Sequence, residues 1–128
     1  MDKPLNGLTV DTLSVAYGAR LAVDAISLAV PKGKITVLAG PNGCGKSTLL
    51  RAIRRLHVAK SGCVLLGDTD IGKMREKEIA REIGLLAQSP SAPEDMRVEE
   101  LVRLGRYPHQ AMLQPWSKDD AAAVEDAM

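Results

Sequence analysis

Eight consecutive residues, 40–47, have the types and spacing of a phosphate-binding loop. They read GPNGCGKS and fit the Walker A pattern G-x-x-x-x-G-K-S/T. Glycines let successive backbone N–H groups turn toward a phosphate, and a helix that begins after the loop adds the partial positive charge of its N-terminus. In this pattern the Lys46 ammonium reaches the β- and γ-phosphates and the Ser47 hydroxyl ligates Mg²⁺. The motif therefore predicts that the chain binds a nucleoside triphosphate together with Mg²⁺.

The segments on either side of the loop can position it. Residues 35–39 form a short apolar run, which predicts a central strand covered on both faces. After the loop, apolar residues recur at helical spacing and predict an amphipathic helix over about residues 46–57. A strand that enters a glycine-rich loop and a helix that leaves it are the supports that a phosphate-binding loop needs.

The rest of the sequence predicts further strands and helices. Apolar alternation predicts one or two half-buried strands with a bulge over residues 8–17 and another strand over 26–30. The other predicted elements are strands at 63–66 and 85–87, helices at 73–82 and 98–104, and a last helix opened by a capping box of Ser117 and Asp120. This order predicts an α/β fold whose mixed sheet has an antiparallel part.

Composition excludes several classes of protein. The 128 residues include 17 basic and 16 acidic side chains and only 2% aromatic residues, so neither a strong positive field nor a stacking platform for nucleic acid is present. No run of about 18 apolar residues exists that could span a membrane. The charge balance and the low aromatic content therefore argue against a nucleic-acid partner. Cys44 and Cys63 lack the spacing of a metal site, which favours a reduced, cytosolic protein.

The loop and its surroundings resemble the ATP-binding subunits of ABC transporters over essentially the whole chain. Residues 38–50 are close to that family's form of the Walker A loop. Tyr17 lies upstream of the loop, where the family has an aromatic residue that stacks on adenine, and Gln88 matches the glutamine of the family's Q-loop. The resemblance implies the P-loop NTPase fold of ABC ATPases, with ATP and Mg²⁺ as ligands.

The resemblance also implies a role for each of these positions. Lys46 and Gln88 would be the catalytic residues, with Gln88 approaching Mg²⁺ and the attacking water, and Ser47 would be the other Mg²⁺ ligand. The residues that would bind the nucleotide are Tyr17, Gly40, Pro41, Asn42, Gly43, Cys44, Gly45, Lys46, Ser47 and Thr48.

A second stretch is similar to the importers of ferric siderophores, cobalamin and haem. Residues 98–102 (VEELV) are followed by 105–109 (GRYPH), with Trp116, Asp120 and Val124 beyond them, as in that group. The resemblance implies a peripheral protein on the cytoplasmic face of the membrane that hydrolyses ATP to drive uptake. Its partners would be integral membrane permease subunits, a second ATP-binding subunit and, indirectly, a periplasmic or surface binding protein.

Three family motifs are not found in this sequence: the signature motif, the Walker B strand and the switch histidine. In relatives they lie beyond the position of Met128, so we expect residues 1–128 to be the N-terminal part of a nucleotide-binding domain, truncated before them and inactive alone. One alternative is a truncated nucleotide-binding module without turnover. Another is a non-transport ABC ATPase, against which residues 105–109 argue. A P-loop kinase is disfavoured because two strands precede the loop.

Several side chains have simpler interpretations beside the functional ones. Tyr17 is alternatively a strand tyrosine with a hydrated hydroxyl, and Gln88 an ordinary loop amide. His57, near the end of the predicted helix, is interpreted as a polar contact of the helix terminus. Arg55 is interpreted as part of a solvated helix face, and Cys63 as a small buried strand residue.

Overall fold

A computed structural model describes residues 7–128, which divide into one unit that ends at Arg75 and a second unit, Glu76–Met128. The first unit contains β1 (Leu8–Tyr17), β2 (Arg20–Val30), α1 (Lys46–Ile53), β3 (Ser61–Leu66), β4 (Thr69–Asp70) and the 3₁₀ turn Ile71–Lys73. The second contains α2 (Glu76–Glu82), α3 (Val98–Leu104), the 3₁₀ turn Tyr107–His109 and α4 (Lys118–Ala127). Among residues 7–128 no helix is both long and apolar enough to cross a membrane.

The first unit is built on an antiparallel sheet with the strand order β2-β1-β3-β4. The central strand β1 contributes Val10, Leu13 and Val15, whose side chains are at most 1% exposed. Helix α1 contacts β1 and β2 and buries Leu49 and Ala52. Part of the buried core of the first unit therefore lies where α1 contacts β1 and β2.

The bulge predicted within residues 8–17 is confirmed, and serine side chains complete its hydrogen bonding. The register of β1 against β2 shifts between Val10 and Leu13, and Thr12 has a φ of 48°. The Thr12 N–H donates to the Ser27 hydroxyl at 2.9 Å, and the Ala25 N–H on β2 donates to the Ser14 hydroxyl at 2.9 Å. These two hydroxyls accept from backbone N–H groups that have no ladder partner at the bulge, so both donors are satisfied.

Helix α1 ends at Ile53, earlier than the predicted 57, because the chain turns into a left-handed conformation at Arg55. Arg55 has a φ of 60°, its N–H donates to the Ala52 carbonyl at 2.9 Å, and the Leu56 N–H donates to the Arg51 carbonyl at 2.8 Å. This pair of bonds is the Schellman motif, in which glycine is the usual left-handed residue. Apolar periodicity continues through the turn, which is why the sequence predicts a longer helix.

The interpretation of Arg55 as a solvated side chain is wrong. Its guanidinium donates to the carbonyl oxygens of Ile71 and Met74 at 2.8 and 2.7 Å, in a part-buried setting. Hydrogen bonds from a charged donor are stronger than neutral ones, so they offset the strain of the left-handed backbone.

Two apolar runs predicted as strands are not strands in the structure. Residues 35–39 form no ladder, and Ile35 and Val37 are 94% and 79% exposed. Residues 85–87 form none either, with Leu86 at 87%. A strand needs a hydrogen-bonded neighbour, and no strand among residues 7–128 pairs with either run. Of the predicted mixed sheet, the described residues therefore form the antiparallel part.

In the second unit, basic side chains of α2 hold the 3₁₀ turn at Tyr107–His109. Lys77 donates to the Gln110 carbonyl at 2.8 Å, and its ammonium lies 4.9 Å from the centroid of the Tyr107 ring. Arg81 donates to the Pro108 carbonyl at 2.8 Å. The predicted helix at 98–104 and the capping box at the start of α4 are both confirmed.

The capping residue Asp120 is also the centre of a charged network. Arg106 Nε donates to one carboxylate oxygen at 2.9 Å, and the hydroxyl and N–H of Ser117 donate to the other at 2.8 and 3.1 Å. These hydrogen bonds, that from Arg106 foremost, lower the pKa of Asp120 from 3.8 to about 2. Asp120 is 4% exposed, and the ion pair of its carboxylate with Arg106 ties α4 to Arg106 at neutral pH.

This network predicts a defined loss of stability in acid. A carboxyl group whose pKa is lower in the folded than in the unfolded protein stabilises the fold above its unfolded pKa, and the contribution is lost as pH falls from about 4 toward 2. We expect the difference in Tm between the wild type and Asp120→Asn to be largest above pH 5 and to shrink through that window. Asp119→Asn, which removes an exposed carboxylate of the same turn, is the control and should follow the wild type. A wild-type-to-Asp120→Asn difference that is constant with pH would contradict the assignment.

Candidate phosphate-binding site

The predicted phosphate loop leads directly into α1, and two glycines shape it. Gly43 and Gly45 have φ angles of 82° and 98°, and Gly45 occupies the N-cap position of α1. The Cys44 N–H donates to the Pro41 carbonyl at 3.4 Å, which closes a turn inside the loop. The first N–H groups of a helix have no partner within the helix, so this end of α1 presents donors to an anion.

Gly45 is fixed by its contact with β2 as well as by its backbone angle. A Cβ atom at this position would lie 2.3 Å from the carbonyl oxygen of Ala22 and 3.3 Å from Cγ2 of Val23. At Gly43, in contrast, a Cβ would meet nothing within 4 Å. The loop is therefore seated on the backbone of β2 at Gly45 and open at Gly43.

Lys46 lies against the loop that precedes it. Its ammonium donates to the carbonyl oxygens of Gly40 and Pro41, both at 2.7 Å, and lies 3.5 Å from Cys44 Sγ. These contacts place a positive charge beside the helix N-terminus, and the two effects add in favour of a bound anion.

Ser47 and Thr48 follow in the first turn of α1. Ser47 is exposed, so its hydroxyl is accessible to a ligand. Within residues 7–128 no group of three or more His, Cys, Asp or Glu side chains could hold a metal ion. Mg²⁺ commonly takes few protein ligands and completes its shell with phosphate oxygens and water, and a single hydroxyl fits that pattern.

Tyr17 is brought to the loop although it is distant from it in sequence. It is the last residue of β1, its hydroxyl lies 3.4 Å from Thr48 Oγ1, and it is 47% exposed. Its ring also contacts the ring of His57, with centroids 4.5 Å apart and planes inclined by 47°. This ring contact was not predicted from the sequence, because residues 40 positions apart carry no local signal that they meet.

Cys44 and Gln88 complete the predicted set. Cys44 is exposed, and its Sγ lies close enough to Gly40 that a Cβ there would be 2.9 Å away. Gln88 belongs to the second unit, where it is exposed in the irregular segment that follows α2. Its predicted role toward Mg²⁺ and the attacking water remains a prediction.

The exposed thiol gives a test of the loop. We expect a maleimide to modify Cys44 before Cys63, which is half-buried in β3, and the adduct to block ATP binding. Saturating Mg-ATP should protect Cys44 and leave the labelling of Cys63 unchanged. Mass spectrometry after brief labelling, with and without nucleotide, measures both sites. Faster labelling of Cys63, or no protection by ATP, would show that Cys44 does not line the nucleotide site.

A glycine-rich loop of the Walker A pattern that leads into a helix beginning at Lys46 is typical of the P-loop class of proteins. Residues 23–128 match the family described as ABC transporter. The chain belongs to the ABC transporter family.

The relatives that the chain resembles in sequence include ATP-binding proteins of siderophore and hemin transport. The chain is 48% identical, over 97% of its length, to the probable siderophore transport system ATP-binding protein YusV of Bacillus subtilis (strain 168). It is 43% identical over its whole length to the ferric enterobactin transport ATP-binding protein FepC of Escherichia coli (strain K12), and 36% identical over 94% to the hemin import ATP-binding protein HmuV of Rhodococcus jostii (strain RHA1). It spans 45%, 47% and 41% of these proteins, which is about half their length.

A solved structure supports the fold independently. A chain described as the structure of the ATP-binding subunit of an ABC transporter superposes with a TM-score of 0.72 over 84% of this chain and 44% of its own. At 24% sequence identity, this likeness bears on the fold alone. The predicted ABC ATPase fold and the resemblance to the siderophore importer group are thereby confirmed.

Proposed function

We propose that this chain is the nucleotide-binding part of an ATP-binding subunit of an ABC importer, and that ATP hydrolysis in the assembled transporter drives uptake of a ferric siderophore. The observation that carries the proposal is the loop at the start of α1, where the Lys46 ammonium is held by two loop carbonyls. Residues 1–128 would be the N-terminal part of the nucleotide-binding domain.

The first unit offers a partner for the β- and γ-phosphates, for Mg²⁺ and for the adenine ring. The N–H groups at the start of α1 and the Lys46 ammonium would bind the β- and γ-phosphates, since both favour negative charge. Ser47 would hold Mg²⁺ together with phosphate oxygens and water. Tyr17, beside Thr48 and with about half of its surface exposed, would stack on the adenine ring.

Hydrolysis of ATP requires side chains beyond those that bind the phosphates. We propose that Gln88 approaches Mg²⁺ and the attacking water in the assembled protein, as the family resemblance implies. The 128-residue chain itself is expected to bind ATP with phosphate release no higher than background. Steady release that Lys46→Ala abolishes would overturn that expectation.

The transported compound and the partner proteins are proposed from the names of the similar proteins. The names of two of them state siderophore or ferric enterobactin transport, and a third states hemin import. We therefore propose a ferric siderophore as the cargo, with haem and cobalamin as the alternatives within one importer group. The protein would lie at the cytoplasmic face of the membrane, bound to integral permease subunits and to a second ATP-binding subunit, and would be served indirectly by a periplasmic or surface binding protein.

Uptake assays distinguish these cargoes. In cells that express the complete transporter, Lys46→Ala is expected to abolish uptake of radioactive ferric siderophore and to leave uptake of labelled haem and cobalamin unchanged. We also expect the tagged wild-type protein to co-purify with a permease from solubilised membranes. If Lys46→Ala abolishes uptake of haem or cobalamin instead, that compound is the cargo. Normal uptake of all three compounds in Lys46→Ala would contradict the importer function.

A further inference from the structure

We propose that His57 is a positioning residue that fixes the ring of Tyr17 for stacking on the nucleobase. The proposal rests on the proposed adenine contact of Tyr17 and adds the residue on which that contact depends. The two rings lie 4.5 Å apart at an inclination of 47°, within the range in which aromatic pairs attract. His57 is half-buried whereas Tyr17 is 47% exposed, so the histidine supports the tyrosine and leaves much of its surface accessible.

Tyr17 needs such support because it stands at the end of a strand. Its backbone is ordered by pairing with Arg20 across the hairpin that joins β1 to β2, whereas its side chain is 47% exposed. Its hydroxyl contacts Thr48 Oγ1 at 3.4 Å, which is long for a hydrogen bond between two hydroxyls. A ring that is ordered before the base arrives loses less conformational entropy on binding.

His57 is itself held on β1. Its Nε2 lies 3.3 Å from the carbonyl oxygen of Ala16, the residue before Tyr17. The left-handed turn at Arg55 ends α1, and three residues beyond His57 the Lys60 N–H donates to the Ser14 carbonyl at 2.8 Å. The segment that carries His57 is therefore anchored on both sides, and this anchoring holds the His57 ring against Tyr17.

Calorimetric titration of the full chain with ATP and with inorganic tripolyphosphate tests the proposal. Tyr17→Ala is expected to weaken ATP binding by about 5- to 150-fold, the range for loss of a base–aromatic stack. His57→Ala should weaken it by about three- to tenfold, and His57→Phe, which keeps an aromatic ring in place, should restore it to within about twofold. None of these variants should change the affinity for tripolyphosphate, which has no base. Leu56→Ala, an exposed neighbour, is the matched control.

The double variant separates positioning from other effects. In the Tyr17→Ala background, His57→Ala should cause no further loss of ATP affinity, because its effect passes through the tyrosine ring. If Tyr17→Ala binds ATP as the wild type does, the adenine contact itself is refuted. If Tyr17→Ala weakens binding but His57→Ala does not, or adds its full loss to the double variant, the positioning role is refuted. Equal losses for ATP and tripolyphosphate in His57→Ala would assign His57 to folding and also refute it.

Discussion

Replacement of Lys46 by alanine is expected to weaken ATP binding about 10- to 150-fold, which corresponds to roughly 1.5–3 kcal/mol. The reason is the ammonium that Gly40 and Pro41 hold against the loop, where it can make charge-assisted contacts with the β- and γ-phosphates. AMP lacks those phosphates, so its affinity should change little. Titrations of both nucleotides against both proteins measure the effect.

The control is Arg51→Ala, which removes an exposed cation from the same helix and should leave both affinities unchanged. Equal losses of ATP and AMP affinity in Lys46→Ala would show that Lys46 acts through folding. A loss for ATP in Arg51→Ala as large as in Lys46→Ala would show a general charge effect.

Gly45→Ala is expected to destabilise the loop far more than Gly43→Ala. Both glycines have positive φ angles, at which an alanine costs about 1–2 kcal/mol. At Gly45 the new Cβ would also lie 2.3 Å from the Ala22 carbonyl oxygen, so β2 or the loop must move. At Gly43 the space is open. Thermal unfolding without nucleotide should therefore show the larger decrease in Tm for Gly45→Ala.

The matched pair makes the interpretation specific. Because both substitutions add the same methyl group at a left-handed residue, the difference between them reports the contact with β2. Equal decreases in Tm would show that the loop is not seated on β2 at Gly45. A larger decrease for Gly43→Ala would contradict the described loop conformation.

The local parts of the site could be predicted from the sequence. The Walker A pattern places Lys46 and Ser47 at a helix start through neighbouring residues alone, and the structure has α1 beginning at Lys46. The capping box of Ser117 and Asp120 is likewise a short-range signal and is confirmed. In each case, the residues that define the feature lie within a few positions of one another.

The parts that were missed depend on distant segments. Apolarity predicts a buried strand at residues 35–39, but it cannot state which segment supplies the neighbouring strand, and in the structure the run is exposed and unpaired. The ring contact of His57 with Tyr17 arises because the Schellman turn at Arg55 directs the chain back to β1. An arginine at the left-handed position carries little signal, since glycine is the residue that usually marks it.

Binding of the phosphates of ATP by residues 40–47 is tested most directly by an amide-resolved NMR titration of the full chain with Mg-ATP. The largest saturable shifts are expected at the N–H groups of residues 43–48, and tripolyphosphate should reproduce them without moving the ring signals of Tyr17. In Lys46→Ala the same shifts should require a much higher nucleotide concentration. Shifts that cluster outside this segment, or that Lys46→Ala leaves unchanged at every concentration, would contradict a phosphate site at the start of α1.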